Sequence, residues 1–312
     1  MAAIICSTRE SQEEWLAEFK RQAPDLDLRI WPDVGNVDDI THAIVSQPPL
    51  GALASLPNLT HIHSLWAGID HITRDPDRPT NTPIIRMVDY GLSQGMMEYT
   101  VGHTLRYHLN MPFFEAEQAA GRWSWQPPPL SEDRSVGILG LGTLGQITAK
   151  QLLSLGFKVS GWSRNSKEIE GITSYAGNGG LEAFLNQVEI LICLLPNTPE
   201  TTDLLNAKTL KMLPKGAAII NAGRGELITD ADLIDALDKA HITGATLDVF
   251  REEPLPSDHP YWQHPKVTIT PHVAADTRLS TGVSTVLNNM KHLDKGDALS
   301  ALPGVVDNKA GY

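Results

Sequence analysis

Residues 134–164 read RSVGILGLGTLGQITAKQLLSLGFKVSGWSR, and the succession of patterns within them decides the fold. An apolar run, Val136, Ile138 and Leu139, meets a glycine string, Gly140-x-Gly142-x-x-Gly145. A helical spacing follows in Leu144, Ile147, Gln151, Leu152 and Leu155, and Gly156 closes it. A second strand-like run covers 157–162. Strand, tight turn, helix and strand in this order put a dinucleotide pyrophosphate at a helix N-terminus, where unpaired N–H groups and the helix dipole favour an anion. In this reading Gly140 permits the turn, Gly142 lets phosphates approach the backbone, and Gly145 lets helix and strand pack closely. Thr143 and Leu144 complete the phosphate loop. A bare GxGxxG recurs in many turns; the strands on both sides are what specify it here.

The pattern continues downstream. Residues 188–195, 217–221, 242–249 and 267–270 read as apolar strands, and 230–240 as a helix with Leu233, Ile234 and Leu237 on one face. Upstream, strand-like runs at 2–6, 26–31, 42–46, 59–66 and 83–88 alternate with a helix over 11–22 that turns Trp15, Leu16 and Phe19 inward. Alternation of this kind implies parallel sheets covered by helices, hence an α/β protein. A helix over about 94–109 leaves the first domain, and WSWQPPP at 123–129 can be neither regular helix nor central strand. The segment from about 275 onward follows the last strand of the second domain, with a helical middle at 283–293, and is free to return to the first domain.

A chain of 312 residues suffices for two domains, each with its own core. Its formal net charge of −12 argues against nucleic acid or an anionic membrane as the main partner, so an anionic substrate needs a local cation. No stretch approaches the ~20 apolar residues of a membrane span. The start, MAAIICSTRE, has no basic n-region, and the two cysteines, Cys6 and Cys193, lie in apolar runs. A reducing, cytoplasmic setting is the expectation.

Open parallel sheets bind ligands at the carboxyl ends of their strands. Those ends carry Gly140–Gly145, Ser163-Arg164, Leu195-Pro196, Ala222-Gly223-Arg224, Asp248 and Pro271-His272 in the second domain, and Trp66-Ala67-Gly68 in the first. Glu253 follows Asp248 by five residues. Singly, each has a plain structural reading: a solvated turn charge for Arg224, a surface acid for Glu253, a loop hydrogen bond for His272. Together, beside a dinucleotide turn, they fit one reaction. Hydride delivered to the carbonyl of a 2-keto acid leaves an alkoxide that needs a proton, which histidine can donate near neutral pH. A carboxylate on its other nitrogen fixes the tautomer, and a planar arginine grips the substrate carboxylate.

The stretches LWAGID (65–70), QGMMEYTV (94–101), VGILGLGTLG (136–145), GWSR (161–164), LLPNTPET (194–201), INAGRGELI (220–228), LDVFREEPLP (247–256), WQHPKVTITPHVAA (262–275) and the ending Lys309-Ala-Gly-Tyr312 resemble, in the same order, the D-2-hydroxyacid dehydrogenases, most of all their glyoxylate/hydroxypyruvate reductase A branch. The resemblance implies a Rossmann-type doubly wound cofactor domain (99–274) and a smaller, discontinuous flavodoxin-like substrate domain (1–98 with 275–312). It implies Arg224 on the substrate carboxylate and carbonyl, and His272 as acid/base paired with Glu253. Ala67 and Gly68, beside Trp66, would hold the carboxylate, and Asp248 the nicotinamide carboxamide. Leu195, Pro196, Thr201 and Ala222 would line the cofactor cleft. It also implies a homodimer, with Trp123 or Trp125 as an aromatic reaching across it.

The cofactor's identity is read from the residues. NAD enzymes of this fold place an acid about 20 residues beyond the glycines, against the ribose 2′-hydroxyl. Here that strand ends Trp162-Ser163-Arg164-Asn165, and no acid precedes Glu168. Ser163, Arg164 and Lys167 suit a 2′-phosphate, so NADP(H) is expected in preference to NAD(H). The expected activity is reduction of small 2-keto acids; a reductase of bulkier acids such as phenylpyruvate and a non-catalytic nucleotide sensor on the same scaffold are the alternatives. His61 and His63 share one strand face without a third ligand, so no metal site is expected.

Overall fold

A computed structural model describes residues 2–306, and the family-like ending Lys309–Tyr312 lies outside them. The chain forms two compact units, one drawn from both ends (up to Leu92 and from Asp276 onward), the other spanning Ser93–Ala275.

The first unit begins with β1 (Ala2–Ser7), buried along its whole length. It lies between the parallel neighbours β2 (Asp27–Ile30) and β3 (Ile40–Ser46), which is why it reads as an unbroken apolar run. Helix α1 (Gln12–Gln22) is capped by Ser11, whose side chain accepts from the Glu14 N–H, and it buries Trp15 and Phe19. After β4 (His61–Ser64), the short α2 (Asp70–Thr73) and the two-residue β5 (Ile84–Ile85), the sheet order is β2-β1-β3-β4-β5, the flavodoxin-like arrangement.

The second unit opens inside α3 (Tyr90–His108), earlier than the expected boundary at 99, and continues with α4 (Met111–Ala119). The remaining strands and helices follow in the order β6 (Ser135–Leu139), α5 (Thr143–Ser154), β7 (Lys158–Ser163), β8 (Thr173–Ala176), α6 (Gly177–Leu185), β9 (Ile190–Cys193), α7 (Ala207–Leu210), β10 (Ala217–Asn221), α8 (Asp230–Asp238), β11 (Ile242–Leu247) and β12 (Val267–Ile269), with no α-helix among the described residues between β7 and β8 or between β11 and β12. All pair in parallel, in the order β12-β11-β10-β9-β6-β7-β8. This is a doubly wound sheet whose direction reverses between β6 and β9, and a crevice for ligand opens at such a point. Finally α9 (Leu279–Asp294) belongs to the first unit, where the Gln22 amide donates to the Ser280 carbonyl at 2.9 Å.

The differences from the sequence expectation have local causes. In α5 the buried face is Gly145, Thr148, Ala149 and Leu152, whereas Ile147 and Leu155 are 37% and 39% exposed. Small residues win that face because the helix runs close over the sheet. Several strands end sooner than their apolar runs, and the excess residues, such as Leu194-Leu195 and Leu65-Trp66, become strand-end loops. Helix α6 begins Gly177-Asn178-Gly179-Gly180, which reads as a loop; it forms nonetheless because Phe184 and Leu185 are fully buried. Helix α4 has no buried residue, so no amphipathic pattern announces it. No helix among the described residues is long and apolar enough to cross a membrane.

Candidate active site

The glycine turn connects β6 to α5 at the reversal point. Gly140 has φ +108°, and a Cβ there would stand 2.9 Å from the Leu194 carbonyl oxygen in the loop after β9. A Cβ on Gly145 would collide with the Gly140 carbonyl, so this glycine sets the helix-to-strand distance. Around Gly142, by contrast, a Cβ would meet nothing within 4 Å. The protein itself does not need that glycine; space is left in front of the first turn of a 12-residue helix whose Gly142 cap supplies no side-chain bond. An open anion cradle of this kind fits a pyrophosphate.

At the end of β7 the Ser163 hydroxyl donates to the Asn165 carbonyl at 2.7 Å and is buried, so it shapes the turn. The exposed cations there are Arg164, 3.9 Å from Glu200, and Lys167. On the other side of the crevice Thr201 closes the loop after β9, donating to the Pro196 carbonyl at 2.6 Å and accepting from the Thr198 N–H at 2.8 Å. Leu195 is buried beneath it. Leu144, Ala222 and Ala274 pack in one small cluster with Met96, which brings the glycine turn, the loop after β10 and the loop after β12 together.

The loop after β10 carries Arg224. Its flanking glycines serve neighbouring protein loops: a Cβ on Gly223 would stand 2.8 Å from the Leu195 carbonyl, and one on Gly225 would collide with the Phe250 backbone. The Arg224 guanidinium donates to the Gly223 carbonyl at 2.7 Å. Beneath the loop lies the buried Asn221, which accepts from the Gly223 N–H at 3.1 Å and donates to the Arg224 carbonyl at 2.9 Å.

His272 lies two strand-end loops further along, after β12. Its Nδ1 is 2.7 Å from Glu253 Oε2, while Glu253 Oε1 accepts from the Phe250 N–H at 3.0 Å. The imidazole side chain is 40% exposed, so its Nε2 side can meet a substrate. Asp248, only 1% exposed, holds this loop from below. Its carboxylate accepts from the Thr270 hydroxyl (2.6 Å) and the N–H groups of Val273 (2.9 Å) and Ala274 (3.0 Å). Asp248 thus spends its acceptors on the loop, a use that its sequence position does not reveal. Asn221 was legible only as a polar residue ending an apolar strand, and Asp248 only as a strand-end acid to which the resemblance gave the nicotinamide carboxamide, not this loop.

In the first unit, Trp66, Ala67 and Gly68 follow β4. The Ser64 hydroxyl donates to the Trp66 carbonyl at 2.9 Å, and the indole N–H donates to Glu10 at 3.0 Å. Arg9, which the sequence reading passed over, stacks its guanidinium 5.5 Å from the Trp66 ring. His61 and His63 are joined by His42, whose Nδ1 is 3.0 Å from His63 Nε2. Burial pushes His42 down to about 4 and His63 to about 3, so both rings stay neutral. No group of three or more ligating side chains among the described residues is placed to hold a metal.

The profile of the family described as "D-isomer specific 2-hydroxyacid dehydrogenase, NAD binding domain" matches residues 101–274. A glyoxylate/hydroxypyruvate reductase A from Serratia proteamaculans (strain 568) is 38% identical over 305 residues, 96% of each chain. The chain belongs to the D-2-hydroxyacid dehydrogenase family, in its glyoxylate/hydroxypyruvate reductase A branch. Its members are oxidoreductases, and the Yersinia enterocolitica relative of the same description is likewise 38% identical over 96% of both chains. Among solved structures, a D-isomer specific 2-hydroxyacid dehydrogenase from Xanthobacter autotrophicus Py2, in complex with NADPH and MES, superposes with a TM-score of 0.95 at 36% identity, covering 100% of this chain and 99% of that one. An NADPH-dependent glyoxylate/hydroxypyruvate reductase from Sinorhizobium meliloti, with NADP and sulfate, gives 0.92 at 33% identity, covering both chains fully.

Proposed function

We propose that this family member is an NADPH-preferring reductase of small 2-keto acids, of the glyoxylate/hydroxypyruvate type, with His272 as proton donor. The observation that carries the reading is the His272–Glu253 pair at 2.7 Å, beside the Arg224 loop and in the same unit as an open glycine cradle. Held by its pyrophosphate in that cradle, NADPH would supply the hydride that the keto carbon takes up. The chain's own residues do the rest. Glu253 accepts from Nδ1–H of His272; the imidazolium form carries a second proton on Nε2, which passes to the oxygen as it becomes an alkoxide and leaves the neutral Nδ1–H ring held by Glu253. Arg224 binds the substrate carboxylate and orients the carbonyl.

Preference for NADPH follows from Arg164 and Lys167 at the end of β7, where an NAD site would carry an acid. The relatives solved with NADPH or NADP agree with that choice. We also assign a homodimer. Helix α4 buries nothing, and Trp123 (101% exposed), Trp125, Leu130 and Met111 leave an apolar arm beside a cleft of 680 Å³ lined by Phe114, Trp123 and Trp125. Such a patch is expected to be covered by a second copy. The buried free thiols, Cys193 pushed up strongly and Cys6 to about 12, are inert and suit the cytoplasm.

Steady-state rates over a keto-acid panel, each with NADPH and NADH, test the reading. Glyoxylate and hydroxypyruvate with NADPH should give the highest kcat/KM. Highest rates with phenylpyruvate would assign the bulkier-acid alternative, and tight NADPH binding without turnover on any keto acid would overturn reductase function.

A further inference from the structure

His272 stands in a backbone conformation that its residue type disfavours. Its φ is +56°, in the left-handed region, which is unfavourable for a residue with a Cβ and persists only where neighbours over-determine it. The neighbours are specific. The His272 N–H donates to the Asp248 carbonyl at 2.9 Å, and three donors from residues 270–274 converge on the Asp248 carboxylate. One of those donors, the Thr270 hydroxyl, has a further partner: its Oγ1 lies 2.7 Å from the phenol oxygen of Tyr99 on α3.

The direction of this chain is fixed by donor counting. A carboxylate only accepts, so the single Thr270 hydroxyl proton points to Asp248 at 2.6 Å. Thr270 Oγ1 then has only lone pairs for Tyr99, and the phenol must donate. Desolvation raises the Tyr99 hydroxyl far above its ordinary range, and the nearby Asp248 charge adds to this, so the donor proton is retained. The helix does not depend on this bond for its docking, because Tyr107 makes its own 3.0 Å contact with Thr246 on β11.

We propose that Tyr99 and Thr270 are positioning residues for the proton donor, acting through Asp248 to hold the left-handed turn that sets the imidazole of His272. The proposal rests on His272 being the acid/base. Tyr99 fixes the rotamer of Thr270, Thr270 fixes the plane of the Asp248 carboxylate, and that plane aims at the N–H groups of Val273 and Ala274. A histidine displaced by a fraction of an ångström still binds Glu253 but meets the alkoxide badly.

The test compares Tyr99→Phe, Thr270→Val and Thr270→Ser. The first two should lower kcat about tenfold while NADPH affinity, read by fluorescence titration, and keto-acid KM change less than twofold. Thr270→Ser, which keeps the hydroxyl, should retain the rate. In a His272→Ala background Tyr99→Phe should cost nothing further, since its effect passes through the missing ring. Unchanged kcat in Tyr99→Phe, or the same fractional loss with and without His272, would overturn the proposal. A wild-type protein without keto-acid turnover would instead sink the reading of function. Even then, nitrogen-15 NMR of the His272 ring checks positioning: a Nδ1–H signal sharp in the wild type and exchange-broadened in Tyr99→Phe supports it, and identical signals refute it.

Discussion

The glycine turn after β6 and the histidine turn after β12 lie in the same unit and are built in opposite ways. The first makes its ligand-facing surface by omitting side chains: Gly140 and Gly145 are required by the protein's own packing, and Gly142 is open. The second is built by adding them, through buried polar groups that bind loop backbone from below. Asn221 does this for the Arg224 loop and Asp248 for the His272 loop, and the two are neighbours, with the Asp248 N–H donating to the Asn221 carbonyl at 2.9 Å. A surface made of backbone is tolerant of chemistry and suits a cofactor shared by many reactions. A surface made of aimed side chains commits the site to one proton transfer.

Substitutions should separate the two designs. Gly145→Ala forces a Cβ against the Gly140 carbonyl, and overpacking of backbone on backbone should cost about 3 kcal/mol or more, seen as a large loss of Tm. Gly142→Ala should leave Tm unchanged and weaken NADPH about tenfold, because only the ligand occupies that space. If both variants behaved alike, the distinction between packing glycine and cradle glycine would fall. Asn221→Ala orphans the Gly223 N–H and the Arg224 carbonyl, which should destabilise by about 1–3 kcal/mol and raise keto-acid KM with little change in NADPH affinity. Arg164→Gln should weaken NADPH about tenfold and leave NADH within twofold, read as the ratio of their kcat/KM values. An equal change for both cofactors would remove the 2′-phosphate assignment.

The smallest effect concerns the first unit. His42 and His63 are held below their unfolded value of about 6.5 by burial, first of all, so the folded state prefers them neutral. Their depressed values mean that stability is complete above pH 6.5 and declines as the pH falls toward about 4, when the unfolded chain takes up protons that the folded one refuses. Tm measured from pH 8 to pH 5 should fall, and a His42→Leu, His63→Leu double variant should show a flatter slope.

The glycine spacing could be read directly because its information is local: three residues within six positions, with strands on both sides. Arg224, Glu253 and His272 emerged from the rule that parallel sheets use their strand ends, and the resemblance gave them roles. The supports beneath them were hidden. Asp248 binds residues 22 to 26 positions away and Tyr99 reaches across 171. No periodicity encodes such pairings, and an Asp at a strand end looks the same whether it faces a ligand or a loop. Helix α4 was missed for the converse reason, since a helix that buries nothing within its own chain has no inward stripe. The sequence reading of Ser163 as a phosphate contact also lacked its partner, the Asn165 carbonyl.

The most direct measurement compares wild type and His272→Ala in the same preparation, with keto-acid turnover by NADPH oxidation and NADPH affinity by fluorescence titration. Separate construction of the two turns predicts a fall in turnover of about 10²-fold or more with the affinity unchanged within twofold. Wild-type turnover in the variant, or a loss of NADPH binding that accounts for the lost rate, would contradict it.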